Sequence, residues 1–133
     1  MRLPPRMAVV LGAVTASALS VALAQGQGIK RTLLQRVDVA GPEPKECVLG
    51  SAELDPGVSA GRHIHHGFEV GVVVEGEGEL TVDGRAPRRL RPGDSYQIEA
   101  RIPHDVRNDG NGRFKVVASW VVEKGKPLAE PVK

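Results

Sequence analysis

The chain carries four histidines, His63, His65, His66 and His104, and three of them fall within four consecutive positions. Imidazole is neutral near physiological pH and offers a nitrogen lone pair, so clustered histidines point first to metal ligation. On an extended strand, residues i and i+2 face the same side with backbone positions about 6.6 Å apart. His63 and His65 can therefore converge on one ion, while His66 points away toward solvent. Glu69 leads the apolar run 68–74, where a carboxylate is costly to bury unless a charge or a metal partners it. A straight strand would carry it about 20 Å from His63. The chain must therefore reverse at His66-Gly67, where glycine accepts a positive φ. Glu69 then opens the next strand, antiparallel and inward, beside the histidines. His104 is the histidine left to complete the set, so the expected metal ligands are His63, His65, Glu69 and His104.

The elements that must position these ligands read as short strands. Runs at 47–54, 62–65, 68–74, 78–82, 85–90, 95–98, 104–107 and 114–122 are separated by Gly, Pro, Asn and Asp clusters every eight to twelve residues. No window after residue 25 holds a helical period over ten residues. This pattern predicts an all-β sandwich or small barrel. Asp83-Gly84 predicts a two-residue hairpin turn of the primed type. Glu75, Glu77 and Glu79 are spaced to share a solvent face, opposite Arg85, Arg88, Arg89 and Arg91. Residues 25–45 read as an N-terminal arm containing an edge strand at 31–39, residues 46–123 as the main domain, and 124–133 as a loosely packed tail.

The chain has 133 residues. Residues 1–24 hold Arg2, Arg6 and no acid, then an apolar run ending Ala22-Leu23-Ala24. This reads as a secretory signal peptide cut after Ala24, with a periplasmic or secreted product; an uncleaved membrane anchor is the alternative. Without residues 1–24, basic and acidic side chains balance at 16 each, because two of the 18 Lys and Arg lie in that segment and none of the 16 acids does. A neutral chain with four aromatics (Phe68, Tyr96, Phe114, Trp120) does not fit a nucleic-acid binder, and no later run could span a membrane. Cys47 is the single cysteine, which excludes disulfide scaffolds, zinc fingers and dithiol redox sites.

The spacing Gly57-x5-His63-x-His65-x3-Glu69-x6-Gly76 resembles the first motif of the cupin superfamily at every defined position. In the second motif Gly93, His104 and Asn108 fall in register. Glu99 stands where Pro is usual and Arg101 where Gly is usual, with Pro103 directly before His104. The resemblance is to a small single-domain bacterial type-2 cupin with a quercetinase-like metal site, and covers about residues 47–122. It implies a double-stranded β-helix, or jelly roll.

The ligand set suits one divalent transition metal, Fe, Mn, Ni, Cu or Zn, with positions left open for a small-molecule substrate. The resemblance implies a metal-dependent dioxygenase-like activity in which Glu69 also accepts a proton. Cupin isomerases and lyases share the ligand set, and a non-catalytic metal or small-ligand binder is the alternative. The strand 68–74 is apolar on both faces, and 114–122 adds Trp120 among valines. One apolar face needs a cover, which the arm can supply through Leu33, Leu34 and Val37, and a homodimer with the arm at its interface is expected.

Overall fold

The computed structural model describes residues 27–133. The expected signal peptide and its cleavage point lie outside the described residues. Ten strands follow in order: β1 Ile29–Val39, β2 Lys45–Leu54, β3 His63–Ile64, β4 Gly67–Glu75, β5 Gly78–Val82, β6 Arg88–Leu90, β7 Ser95–Ile98, β8 His104–Arg107, β9 Phe114–Glu123 and β10 Glu130–Pro131. They form two five-stranded sheets, ordered β1-β2-β9-β4-β7 and β10-β3-β8-β5-β6. Every pairing is antiparallel. This is the all-β sandwich that the short alternating runs predict, in the jelly-roll form that the resemblance implies.

Alternation decides what lies between the sheets. Along β4, Glu69 and Val73 are buried while Phe68, Val70, Val72 and Val74 are exposed. On β9, Phe114, Val116, Ala118 and Val122 are buried and share the inward face. Leu54, Leu90, Phe114 and Val73 form the packed centre with Leu80, Val82 and Ile98 from the other strands. The buried Asn108 pins the far end. Its amide donates to the carbonyls of Leu54, at 2.9 Å, and Gly112, at 2.8 Å.

Several expectations are corrected. β1 pairs with β2 of its own chain along its whole length and so widens the sheet. It does not lie over the outer face of β4. Trp120 points inward and does not belong to that outer face. The tail is not loose: β10 pairs with β3, and the Val132 amide donates to the Arg62 carbonyl at 3.1 Å. β3 and β4 lie in different sheets, so the reversal at His66-Gly67 is a crossing from one sheet to the other, made without the positive φ expected at Gly67. The turn at Asp83-Gly84 is closed by the Arg85 amide on the Val82 carbonyl at 3.0 Å, with positive φ at Gly84 and not at Asp83. A primed type I turn needs positive φ at both. Pro87 offers no ladder donor, and pairing resumes only at Arg88. The acidic run also divides: Glu75 pairs with Arg113 at 2.8 Å and Glu77 with Arg89 at 3.0 Å. Arg85 goes instead to Glu99 and Arg88 to the Ser95 carbonyl. His66 is not left to solvent, because its Nε2 meets Glu130 Oε2 at 2.7 Å.

Among the described residues, Arg101 is the non-glycine residue with a positive φ, 61°. A left-handed backbone thus stands at the position where the second motif usually has glycine. Its amide donates to the His65 carbonyl at 2.9 Å, and its side chain pairs with Glu123. The expected result is that Arg101→Gly melts no lower than wild type. Arg101→Val should lose about 1–2 kcal/mol, because a β-branched residue is strained there. Equal melting points for the two variants would show that the loop does not hold this conformation.

Candidate metal centre

The four residues expected to bind metal come together between the sheets. His63 on β3 stands opposite His104 on β8 in register. His65 follows directly after β3, and Glu69 reaches in from β4 in the facing sheet, where it is in register with Trp120 and Ile98. The ring centroids of His63, His65 and His104 lie 4.3–4.9 Å apart. One nitrogen from each converges with the others within 4.8 Å. His65, Glu69 and His104 are buried.

Backbone carbonyls fix which nitrogens face inward. Nδ1 of His63 lies 2.5 Å from the Gly61 carbonyl, Nδ1 of His65 2.5 Å from that of Leu128, and Nδ1 of His104 2.9 Å from that of Ile102. A carbonyl only accepts, so each Nδ1 carries the proton and each Nε2 presents a lone pair. Nε2 of His104 is buried with no hydrogen-bond partner. Glu69 Oε2 lies 2.8 Å from Nε2 of His65 and 3.7 Å from Nε2 of His104. Acceptors gathered face to face repel unless a cation sits among them. The donor set therefore fits a divalent transition ion, and the carbonyl contacts are the outer partners that orient metal-binding imidazoles.

Electrostatics prepare the same state. Burial holds the His63 pKa down to about 4, reinforced by the neighbouring imidazoles and opposed by the Gly61 carbonyl and Glu69. The ring is thus neutral at physiological pH. For Glu69, burial favours the protonated form, but its neighbours outweigh it: the His104 and His65 imidazoles beside the carboxylate and the Tyr96 hydroxyl that donates to it hold the carboxyl well below its usual range. Such a group suits a ligand.

Four supporting groups escape a reading of motifs. Tyr96 donates its hydroxyl to Glu69 Oε1 at 2.8 Å, which leaves Oε2 toward the histidines. Burial and the Glu69 charge both raise the Tyr96 pKa, so it remains a donor. Gly71 stands in register with Tyr96, and a Cβ there would lie 2.4 Å from the phenol oxygen. Trp120 directs its indole N–H to Nε2 of His65 at 3.2 Å. Leu128, in the tail, supplies the carbonyl for His65. The alternation of β7 and β9 could have placed Tyr96 and Trp120 inward, but a backbone carbonyl has no sequence signature.

This shell makes a prediction. Tyr96→Phe should weaken metal binding by roughly 10–100-fold with little loss of fold. Gly71→Ala should do the same and also cost about 1–3 kcal/mol through overpacking. Competition with a chromophoric chelator measures the first effect and thermal melting the second. Unchanged affinity in both variants would remove Tyr96 from the site.

The ligands border a cavity of about 80 Å³, walled mainly by apolar side chains including Val48, Leu80, Ile98 and Val116. At 10–15 Å³ per water position, that is room for roughly six non-hydrogen atoms.

Comparison with known proteins agrees with this geometry. A regulator of Escherichia coli K12, the HTH-type transcriptional regulator PuuR, is 38% identical over 65 residues, covering 48% of this chain and 35% of the regulator. The chain thus spans about a third of the length of the curated relative it matches. Among solved structures, a cupin superfamily protein from Desulfitobacterium hafniense superposes with a TM-score of 0.58 at 19% identity, over 76% of this chain and 84% of that one. An oxalate oxidase in complex with the substrate analogue glycolate gives a TM-score of 0.58 at 25% identity, over 70% of this chain and 50% of that one. The family model for the cupin domain matches residues 50–121, which takes in both motifs and every proposed ligand. That span is more than half of the sequence, and the chain belongs to the cupin domain family.

Proposed function

We propose that this chain is an exported, metal-dependent cupin enzyme of the dioxygenase-like kind, acting on a small organic molecule. The observation that carries the reading is the gathering of one nitrogen each from His63, His65 and His104 within 4.8 Å, each Nδ1 being tied to a carbonyl, with Glu69 Oε2 2.8 Å from Nε2 of His65. His63, His65, Glu69 and His104 would hold the ion. Bound there, it would supply Lewis acidity and, in a redox-active form, access to oxygen chemistry. Glu69 would contribute charge, Tyr96 would hold it to a single donor oxygen, and the apolar walls would exclude water. The cavity size favours a substrate far smaller than a flavonoid. Oxalate oxidase, a similar protein crystallised with glycolate, supports a small oxygen-rich substrate.

The similarity to PuuR favours a second reading, a non-catalytic small-ligand binder. Oxygen uptake and product analysis separate the two. Metal-loaded protein is screened against short hydroxy- and oxo-acids and enediols. Oxygen consumption with product formation supports the enzyme, whereas saturable binding with no turnover supports the binder.

Assembly forms part of the proposal. On the outer face of the first sheet, Val37, Cys47, Val121 and Phe68 stand in one register row across four strands, flanked by Val70, Val72 and Val74. The β4 members of this face are 37–48% exposed. Soluble monomers rarely leave such a patch uncovered, and a second copy is the proposed cover. Light scattering at micromolar concentration should give twice the monomer mass, and Val72→Lys should give the monomer. A monomeric wild type would contradict the dimer.

A further inference from the structure

Trp120 makes a hydrogen bond that is incompatible with metal ligation by His65. It stands on the inward face of β9, in register with Glu69 on β4 and Val48 on β2. A Cβ at Gly50, two residues along β2 from Val48, would lie 3.3 Å from Cζ3 of Trp120. The six-membered ring of the indole thus packs over Gly50 with no side chain between, beside the cavity that the ligands border. Its centroid lies 5.8 Å from that of His65, and its N–H meets His65 Nε2 at 3.2 Å.

The indole nitrogen only donates, and the Nε2 of a neutral imidazole protonated at Nδ1 has a single lone pair. That lone pair cannot serve the indole and an ion together. The other donors around the ligands use neither an Nε2 nor Glu69 Oε2. The Tyr96 hydroxyl goes to Glu69 Oε1, and the three Nδ1–H groups go to the carbonyls of Gly61, Leu128 and Ile102. Of these donors, the Trp120 N–H is the one that metal binding would release. A donor left unpaired among apolar walls is costly. Glu69 already accepts from Tyr96 through Oε1, and its Oε2 faces the histidines. The new acceptor must then arrive with what enters the cavity. Three neutral imidazoles and one carboxylate would also leave a divalent ion with one positive charge uncompensated, in a space walled mainly by apolar side chains. Charge and hydrogen bonding ask for the same partner, a small anion with an oxygen to accept the N–H.

We propose that Trp120 is an exchangeable donor, whose N–H holds His65 until that nitrogen is taken up and then binds an oxygen of a small carboxylate lying beside the ion. The assignment rests on the metal-dependent reading of the site and names the group that recognises its ligand. Trp120 binds the small molecule and is not a ligand to the ion.

Trp120 is the single tryptophan of the chain, so tryptophan fluorescence reports from this one place. Zinc serves as the probe ion, because it has no redox chemistry, and formate as the probe anion. Zinc titrated into chelator-stripped wild type should change the Trp120 emission and saturate at one ion per chain. Formate added next should change it again. Calorimetry then compares wild type with Trp120→Phe. The variant should bind zinc as tightly as wild type or up to roughly 10-fold more tightly, because the competing donor is gone. It should bind formate roughly 10-fold or more weakly, the scale of a hydrogen bond to a charged group. An indole with a merely structural role would weaken both when lost.

Three results would overturn the exchange: emission unchanged by bound zinc or by formate, formate affinity unchanged in Trp120→Phe, or weaker zinc binding by a variant that melts like wild type. If the variant does not fold, the wild-type emission still decides. Wild type that binds no zinc would sink the metal-dependent reading and the exchange together. Zinc binding without a change in emission would sink the exchange alone and leave the metal reading standing.

Discussion

His104→Ala should strip the metal from this chain, and His66→Ala should leave it in place. Both residues are histidines, His66 within the first motif and His104 in the second, and their surroundings differ. Nε2 of His104 is buried, has no hydrogen-bond partner and faces Glu69 and the other two imidazoles. His66 spends its Nε2 on Glu130 at 2.7 Å. Loss of His104 removes one of four ligands, and affinity should drop by at least about 100-fold, beyond what losing an outer partner costs. Loss of His66 removes its hydrogen bond with Glu130, worth about 0.5–1.5 kcal/mol, and no ligand. Metal analysis after dialysis against a weak chelator reads the difference. Equal retention in the two variants would refute the assignment.

Metal should also stabilise the fold strongly at pH 7.5, and weakly at pH 5. An ion that binds only the folded state adds about 4 kcal/mol at a thousandfold excess over Kd. For a domain of this size that is roughly 15 °C in Tm. Acid weakens the effect because protons compete with the ion for the imidazole lone pairs. The metal-free fold weakens in the same direction. His63 takes up a proton only near pH 4 when folded, but near 6.5 when unfolded. The unfolded chain therefore binds more protons between those values, and stability falls as pH drops through that window. Glu69, with its pKa depressed by its partners, adds stability above the ordinary carboxylate range that is lost in stronger acid. Calorimetry with and without chelator at the two pH values reads both effects. A chelator-insensitive Tm at pH 7.5 in metal-loaded protein would contradict the account.

That His63, His65 and Glu69 would stand near one another was legible in the sequence because their spacing is local. His63 and His65 share a strand face by period two, but Gly67 takes no positive φ, and a glycine is needed there because a Cβ would lie 1.9 Å from the Val121 carbonyl oxygen. The strands Gly78–Val82, Ser95–Ile98 and His104–Arg107 were legible to the residue, since turn residues bound them sharply. Less local features were hidden. Spacing shows that the chain reverses at Gly67, but not that Glu69 arrives in the opposite sheet. Nothing in 124–133 announces that Leu128 will offer its carbonyl to His65, because that group is the same in every residue. The register of Gly71 with Tyr96 depends on pairing between strands far apart in the chain. Arg101 carries a left-handed backbone that its side chain disfavours, held by contacts to His65 and Glu123. Local propensity is silent where tertiary contacts impose the conformation.

Elemental analysis of the purified wild-type chain tests the central claim most directly. The account predicts about one transition metal ion per chain, retained through gel filtration and released by a strong chelator. A chain that is folded, as shown by its cooperative melting, but retains no transition metal when offered Fe, Mn, Ni, Cu or Zn at neutral pH would contradict it.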